Sequence, residues 1–393
     1  MIATLDLDPF TPEALEDPYQ YHDALRDAGP VVWLKKYGVY AMARFQEVRA
    51  ALLDHQTFVS GRGVGLADFA TEEPWRPPSL LLETDPPVHD RTRALMNQVI
   101  SPTNLKRFEP AWQSEAEALA DQLVEIGEFD VVTDFAEKFP MLVFPDAVGL
   151  MDEGRENLLV YARAVFNAFG PRNEIFERGE EEARDAVAWV AMACKREHLK
   201  PGGWGMAVYE QADAGACTPA EAERLVRSLL SAGVDTTVNG IATAVYAFSE
   251  YPEQWDKLCA DPTLARKAVE ESLRWDGTVQ TFFRTVSQDV DVDGETLPAD
   301  SKVLLFLAAA NRDPRKWDRP ERFDIDRMTS GHVGFGAGIH QCLGQMVARL
   351  EGRIALTALA RKCVKIRATG PLVRRLNNTL HAIRSLPVEV VGN

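Results

Sequence analysis

The hydrophobic pattern of the chain is strand-like near its two ends and helical in the middle. Short apolar runs at residues 31–33 and 39–43, separated by Gly38, predict two strands. Long runs of Ala, Glu, Arg and Leu at residues 110–124, 146–169 and 174–198 predict helices. A β-hairpin is predicted at 290–307 and further β-structure at 372–390. The pattern therefore predicts a mainly α fold with small β-sheets.

The clearest helix of the pattern runs from residue 218 to residue 251. Thr218, Pro219 and Glu221 have the spacing of a capping box with proline at the first helical position. A continuous helix of this length would measure about 50 Å at 1.5 Å per residue. Gly233 and the threonines after it weaken the middle of this helix, and a threonine hydroxyl can replace a backbone hydrogen bond there.

Composition and charge narrow the class of protein. The chain has 393 residues, 43 basic and 59 acidic, so its formal net charge is −16. This acidic balance gives no reason to expect nucleic-acid or membrane binding. The first ten residues lack the features of a secretory signal, and the apolar run at 303–310 is too short to span a membrane. We therefore expect a cytoplasmic protein with reduced cysteines.

One of the five cysteines stands in a special setting. Residues 335–344 read FGAGIHQCLG, so glycines precede Cys342 and a predicted helix at 343–361 follows it. Glycines allow tight turns and a close approach to a ligand, and a helix N-terminus favours a thiolate. The alternative is a buried cysteine after a Gly-rich loop. The glycine spacing does not fit a dinucleotide-binding loop.

Phe335, Gly338 and Cys342 match the Phe-x-x-Gly-x-x-x-Cys haem-binding loop of the cytochrome P450 family, which this chain resembles. The resemblance implies that Cys342 is the axial thiolate ligand of the iron of haem b. It also implies a haem-thiolate monooxygenase with the P450 fold, the haem lying between the long central helix and the cysteine loop. We expect residues 1–393 to form one domain without a fused reductase.

Two further motifs occur in the order typical of this family. Residues 232–237 (AGVDTT) resemble its oxygen-activating signature, which makes Asp235 and Thr236 the expected acid–alcohol pair that relays protons. The alternative is an incidental polar patch on a core helix. Glu271 and Arg274, at i and i+3, resemble its buried Glu-x-x-Arg pair, although such spacing is also common in surface salt bridges. Arg322 matches the third member of that structural cluster.

Four cations resemble the residues that hold the haem propionates in this family. His89 and Arg93 are four residues apart and can share a helix face, and Arg284 and His340 match two further contacts. Any one of them could be an ordinary surface cation. Buried propionates need such partners, which favours the joint assignment.

Other segments resemble the bacterial P450 subfamily that oxidises para-substituted benzoates. Arg76, Ser79 and Ser228 fall on the positions that bind the benzoate carboxylate there; the alternative is that they cap loops or bond the backbone. The resemblance implies O-demethylation of 4-methoxybenzoate-type substrates. The expected apolar walls around the flat ring are Phe166, Phe169, Ala232, Val279 and Phe282.

Three other functions remain open from the sequence. They are hydroxylation of another small aromatic or aliphatic compound, a peroxide-driven P450, and a haem sensor without turnover. The presence of Asp235 and Thr236 disfavours the last two, because neither uses a proton relay of this kind.

The resemblance also implies partners. We expect a monomer that takes O₂ and receives electrons from a separate ferredoxin of the [2Fe-2S] type, with an NADH-dependent reductase. An acidic ferredoxin could dock on a local basic patch, with a solvated helix face as the alternative. The residues expected in this patch are Arg349, Arg353, Arg361 and Lys362, with Lys106 and Arg107.

Overall fold

A computed structural model describes residues 2–393. Helices dominate these residues, as predicted, and the strands come from the N-terminal and C-terminal parts of the sequence, apart from β5, which lies between two helices. The helices are α1 Pro12–Glu16, α2 Tyr19–Ala28, α3 Phe45–Leu53, α4 Val88–Val99, α5 Pro102–Lys106, α6 Glu109–Ile126, α7 Lys138–Val148, α8 Asn157–Asn167, α9 Glu174–Glu182, α10 Arg184–Ala193, α11 Trp204–Asp213, α12 Pro219–Ala232, α13 Asp235–Glu250, α14 Pro252–Ala260, α15 Ala265–Trp275, α16 Leu307–Asn311 and α17 Gln345–Lys362.

The strands form one six-stranded sheet and three smaller ones. They are β1 Ala3–Leu5, β2 Val32–Leu34, β3 Val39–Met42, β4 Phe58–Val59, β5 Glu128–Asp130, β6 Thr281–Val286, β7 Val290–Val292, β8 Glu295–Leu297, β9 Lys302–Phe306, β10 Cys363–Ala368, β11 Val373–Arg375, β12 Ala382–Ser385 and β13 Pro387–Gly392. The large sheet has the order β1-β2-β3-β9-β6-β4. In β6, Phe282 and Arg284 are two residues apart and therefore point to the same side of the sheet.

The predicted helix at 218–251 is interrupted. The capping box is present. The Thr218 side chain accepts a hydrogen bond from the Glu221 N–H, and the Glu221 side chain accepts one from the Thr218 N–H. The helix then stops at Ala232 and restarts at Asp235. A Cβ on Gly233 would lie 2.0 Å from the ring of Phe144, so only glycine fits at this break. The prediction of one continuous helix is wrong, whereas the predicted weak point is confirmed.

Two other predicted helices are divided as well. The span 146–169 contains the end of α7, a connection and then α8, because Gly149 has a left-handed conformation (φ 88°) that ends α7. The span 174–198 becomes α9 and α10, which meet at Ala183. The strands predicted near both ends, the hairpin β7–β8 and the helix after Cys342 are confirmed.

The helical part buries a continuous apolar core that α13 crosses. Phe248, Val245 and Ala247 of α13 are fully buried in it. A cavity opens on one side of α13, between that helix and the loop that carries Cys342. Within residues 2–393, no helix is long and apolar enough to cross a membrane.

Candidate active site

The loop before Cys342 is shaped by glycines and by close packing. Gly338 has φ 70°, and a Cβ there would lie 2.5 Å from the carbonyl oxygen of Leu52. The N–H of Cys342 donates to the carbonyl oxygen of Phe335 at 2.9 Å, which closes the loop just before α17 begins. The sequence pattern Phe335, Gly338 and Cys342 therefore corresponds to a single compact turn.

The thiol of Cys342 is exposed to the cavity although protein surrounds it on the other sides. Burial raises the pKa of this thiol above its usual value. The backbone N–H groups of Gly344 and Gln345 and the guanidinium of Arg93 oppose that rise. A thiolate in this position needs a positive partner on the cavity side, and a bound iron would supply one. The donor therefore fits the axial ligand expected from the resemblance.

The cavity between Cys342 and α13 encloses about 1920 Å³ of empty space, part of it open to solvent. Its walls are mainly apolar, which suits a large flat macrocycle and a small aromatic substrate. Around Cys342 and along α13 the lining side chains include Phe335, Leu343, Val347, Thr236, Thr237, Ile241 and Ala244.

Cations without an acidic partner surround the edge of this cavity. Arg284 is buried, and burial lowers its pKa to about 10; its only described hydrogen bond goes to the carbonyl oxygen of Phe283. Arg93 donates to the Gln341 carbonyl oxygen at 2.7 Å, and burial lowers its pKa. Buried cations without a counter-ion are costly. These two residues therefore fit an anionic group in the cavity, such as the haem propionates.

The two histidines of the predicted propionate set pack together. The ring centroids of His89 and His340 are 4.4 Å apart. Nε2 of each ring is buried and forms no hydrogen bond among residues 2–393, although Nε2 of His340 lies 3.7 Å from Oδ1 of Asp85. Nδ1 of His340 donates to the Leu81 carbonyl oxygen at 3.1 Å. Of the two, only His340 lines the cavity. A bound anion would give each Nε2 a hydrogen-bond partner when its ring is protonated.

The predicted acid–alcohol pair is split between the cavity and the core. Thr236 lines the cavity, and its hydroxyl donates to the Ala232 carbonyl oxygen at 2.9 Å across the break between α12 and α13. Asp235 faces away, and its Oδ1 lies 3.3 Å from Nε of Arg163. Burial raises the pKa of Asp235, and the charges of Arg163 and Arg375 oppose this shift.

The sequence predicts that Ser228, Ala232, Asp235 and Thr236 share one side of a continuous helix, within an arc of roughly 100°. Ser228, Ala232 and Thr236 line the cavity and Asp235 does not. The arc assumed a rotation of 100° per residue along one helix, and the turn at Gly233–Val234 interrupts that rotation.

The buried charge cluster has a different third member from the predicted one. Glu271 and Arg274 pair at 2.7 Å with no exposure of either side chain. The third side chain is Arg327, whose Nε lies 3.1 Å from Oε1 of Glu271. The prediction for Arg322 is wrong: its side chain is half-exposed beside Glu253, and only its backbone carbonyl accepts from Arg274. The chain turns between Arg322 and Arg327, so that the backbone of Arg322 faces the cluster and its side chain does not.

Aromatic rings form one wall of the cavity, as expected. Phe166 and Phe169 pack edge to face with centroids 5.7 Å apart, and Phe169 packs on Phe282 at the same distance. Val279 and Ala232 also line the cavity. This wall of the cavity is therefore apolar and largely aromatic.

Polar groups converge at another part of the wall. The hydroxyl oxygens of Ser79 and Ser228 lie 3.1 Å apart, and Arg76 lines the cavity beside them. Nη1 of Arg76 also forms an ion pair with Glu83 at 2.9 Å, which the sequence did not indicate.

Two more polar residues of α12 line the cavity and were not predicted. Arg227 donates to the Pro77 carbonyl oxygen at 2.7 Å, and burial lowers its pKa. The Ser231 hydroxyl donates to the Arg227 carbonyl oxygen at 2.8 Å. Ser231 lies three residues after Ser228 on the same helix, so helical periodicity was a usable signal.

Acidic side chains neutralise the four cations of the predicted docking patch that lie on α17. Arg349 pairs with Glu270, Arg353 with Glu109, Arg361 with Glu117 and Lys362 with Asp121. Arg107 donates to the Gly202 carbonyl oxygen and lies over the Phe108 ring. The cations of α17 therefore do not form an isolated positive surface, because α6 and α15 present carboxylates to them.

Comparisons with known proteins agree with this architecture. A family model described as Cytochrome P450 matches residues 206–364. The chain is 54% identical to Cytochrome p450 CYP199A2 of Rhodopseudomonas palustris over 390 residues, covering 99% of this chain and 95% of that protein. It is 32% identical to the vitamin D(3) 25-hydroxylase of Pseudonocardia autotrophica, covering 90% of this chain and 88% of that protein. The structure of CYP109Q5 from Chondromyces apiculatus superposes with a TM-score of 0.83 at 29% identity, covering 100% of both chains.

Proposed function

This chain belongs to the cytochrome P450 family, haem-thiolate monooxygenases that bind haem b, and from that premise we propose that it oxidises para-substituted benzoic acids. The proposed reaction is O-demethylation of 4-methoxybenzoate or a similar acid. The observation that carries it is the convergence of Arg76 with the Ser79 and Ser228 hydroxyls on the wall of an otherwise apolar cavity. Hydroxyls and a guanidinium are the groups that bind a carboxylate.

We assign Cys342 as the iron ligand and Arg93, Arg284, His340 and His89 as the residues that hold the propionates. The haem supplies dioxygen activation when it is bound. Phe335 and Gly338 shape the ligand loop, in which the Cys342 N–H is tied to the Phe335 carbonyl oxygen. The unpaired cations and histidine nitrogens described above support this assignment.

The chain orients its substrate from the acid end. Ser228 lies on α12 and precedes Thr236 of α13 by eight residues, about two helical turns. A carboxylate held at Ser79 and Ser228 therefore leaves the para substituent to extend toward the end of the cavity near Thr236. Phe166, Phe169 and Phe282 restrain the ring. Binding energy far from the reacting atom supplies orientation and selectivity in this arrangement.

We propose that Thr236 delivers protons during the reaction and that Asp235 is their buried source. The Thr236 hydroxyl stands at the cavity wall, where rotation away from the Ala232 carbonyl oxygen would let it donate into the cavity. Asp235 is adjacent in sequence and is held by Arg163, so its movement would couple the cavity to the protein surface. Burial favours its protonated form.

The overall reaction consumes O₂, two electrons and two protons. One oxygen atom enters the methyl C–H bond, and the resulting hemiacetal loses formaldehyde to leave the phenol. The other oxygen atom leaves as water. We propose that the electrons come from NADH through a reductase and a separate [2Fe-2S] ferredoxin, and that the protein acts as a cytoplasmic monomer.

The experiment is a spectral titration of the haem-loaded protein. 4-Methoxybenzoate is expected to shift the haem to the high-spin form, whereas 4-methoxybenzamide and the methyl ester do so poorly. Turnover with NADH, ferredoxin and reductase is expected to yield formaldehyde and 4-hydroxybenzoate in equal amounts. Equal shifts for acid and ester contradict the carboxylate anchor. Turnover with hydrogen peroxide but not with NADH would identify a peroxide-driven enzyme instead.

A further inference from the structure

Arg76 stands between two cavities. It lines the cavity described above and also a second one, bounded by Trp75, Phe176 and the loop at residues 65–69. Glu83 lines only the second cavity. The Arg76–Glu83 ion pair therefore lies at the boundary, with the carboxylate on the side away from Cys342.

Glu83 is held independently of Arg76. Its Oε2 accepts from Nη1 of Arg76 at 2.9 Å and from the backbone N–H of Ser79 at 2.7 Å, and the residue is 5% exposed. Among residues 2–393, the other hydrogen bond of the Arg76 guanidinium goes to the Pro77 carbonyl oxygen. The remaining N–H groups of Arg76 are therefore free to meet a ligand while Glu83 stays in place.

The charges around Arg76 are unbalanced: the positive groups outnumber the negative ones, so the site can accept a further anion. Arg224 and Arg227 of α12 donate to the carbonyl oxygens of Pro78 and Pro77, next to Arg76. Neither forms an ion pair within the described chain, so Glu83 is the one carboxylate paired in this group of three arginines. A ligand carboxylate at Arg76 would be attracted by the arginines and repelled by Glu83.

We propose that Glu83 is an internal competitor for Arg76 that limits how tightly the site holds a carboxylate. This inference rests on the proposed function, because the substrate and the phenolic product then carry the same carboxylate. An anchor that binds both without competition would retain the product and slow turnover. Because Glu83 stays paired with Arg76 throughout, it also neutralises Arg76 after the product leaves, which stabilises the empty site.

The test uses two probes that coordinate haem iron through an imidazole and therefore need no turnover. They are 4-(imidazol-1-yl)benzoate and its neutral amide, titrated into haem-loaded protein by the shift of the haem absorption band. Glu83→Gln keeps the size of the side chain and removes its charge. This variant is expected to lower the dissociation constant of the acid probe about tenfold and to leave that of the amide probe unchanged. Inhibition by 4-hydroxybenzoate is expected to become stronger in the same variant.

Glu72→Gln is the matched control, because Glu72 lines the second cavity, is exposed and, among residues 2–393, accepts one hydrogen bond, from the Asp68 N–H. Glu72→Gln is expected to leave the dissociation constants of both probes unchanged. Glu83→Asp, which keeps the charge but withdraws it by one methylene, replaces the glutamine variant if that variant fails to load haem. Glu83→Asp is expected to lower the dissociation constant of the acid probe by a smaller factor than Glu83→Gln does.

The outcomes separate this inference from the proposed function. Weaker acid binding in Glu83→Gln would overturn it and leave Glu83 as a residue that only positions Arg76. An equal change for acid and amide would overturn it in favour of a structural role. A wild-type protein without preference for the acid, combined with a preference in Glu83→Gln, would refute the proposed substrate and support the competition. No preference in either protein would refute both.

Discussion

The hydroxyl oxygen of Ser79 lies 3.1 Å from that of Ser228, although 149 residues separate them in the sequence. Ser228 donates to the Arg224 carbonyl oxygen, and Ser79 accepts from the N–H groups of Leu81 and Leu82. The Ser79 hydroxyl therefore has its proton available for Ser228 or for a ligand. This pair joins the loop before α4 to α12 at the position where we propose that the substrate carboxylate binds.

Replacing Ser228 by alanine is expected to weaken binding of 4-methoxybenzoate about tenfold, because one hydrogen bond to a charged group is lost. Binding of 4-methoxybenzamide is expected to change much less. Spin-state titrations measure both. Ser249→Ala is the control, since Ser249 makes the same kind of helix back-bond, to Tyr246 at 2.8 Å, away from the cavity. A similar loss for acid and amide would mean that Ser228 only supports the helix.

Replacing Thr236 by alanine is expected to lower the product formed per NADH by about 10–100-fold, because a positioned proton donor is lost. NADH consumption is expected to continue, with its electrons released as hydrogen peroxide. The ratio of product to NADH, with peroxide assayed in parallel, measures this uncoupling. Thr237→Ala is the control, since Thr237 lines the same cavity without a hydrogen bond across the helix break. Equal uncoupling in both variants would contradict a special role for Thr236.

Replacing Cys342 by alanine is expected to abolish the long-wavelength band of the carbon monoxide difference spectrum, because that band requires a thiolate ligand. Haem content, measured separately, shows whether the variant is loaded. Cys259→Ala is the control, since Cys259 bonds the Cys363 carbonyl oxygen and lies away from the cavity. Persistence of the band in the Cys342 variant would refute the ligand assignment.

Replacing Arg327 by alanine is expected to destabilise the protein by about 3 kcal/mol, because it removes one partner of the buried Glu271 carboxylate. The Arg327 side chain is only 12% exposed, whereas that of Arg322 is 51% exposed. Arg322→Ala is therefore expected to change stability by less than about 0.5 kcal/mol. Thermal unfolding of both variants gives the comparison, and a larger loss for Arg322 would contradict the observed cluster.

Because of the capping box of α12, the free energy of unfolding is expected to fall as the pH becomes acidic. Hydrogen bonds from Arg91 first, and then from the Thr218 backbone, lower the pKa of Glu221 from 4.5 to about 2. A lowered carboxyl pKa stabilises the folded state above pH 4.5, and this contribution is lost as the pH falls toward about 2.

Glu221→Gln tests this dependence. It is expected to cost about 1 kcal/mol at pH 7, and the difference from the wild type is expected to shrink as the pH falls below 4.5. Urea unfolding across that range measures it. A difference that is constant with pH would show that charge plays no part.

Several features of this protein were determined by local sequence alone. The glycines and Cys342 specify a tight loop before a helix, because φ near 70° at Gly336 and Gly338 is a property of those residues. The capping box at Thr218 specifies where α12 begins, since its bonds span only three residues. Gly233 marks the weak point of the central helix. In each case the residue types and their local spacing were sufficient to predict the feature, although Phe144 and Leu52, far away in sequence, also require the glycines at 233 and 338.

Other features were decided only by the tertiary structure. Arg327 rather than Arg322 reaches Glu271, Asp235 turns toward Arg163, and Glu83 occupies part of Arg76. A long charged side chain can reach several partners, and the packing of segments far apart in sequence selects among them. The sequence thus determined which kinds of groups the site contains. The folded chain determined which charges remain free to bind a ligand, because burial and pairing depend on neighbours that no local pattern encodes.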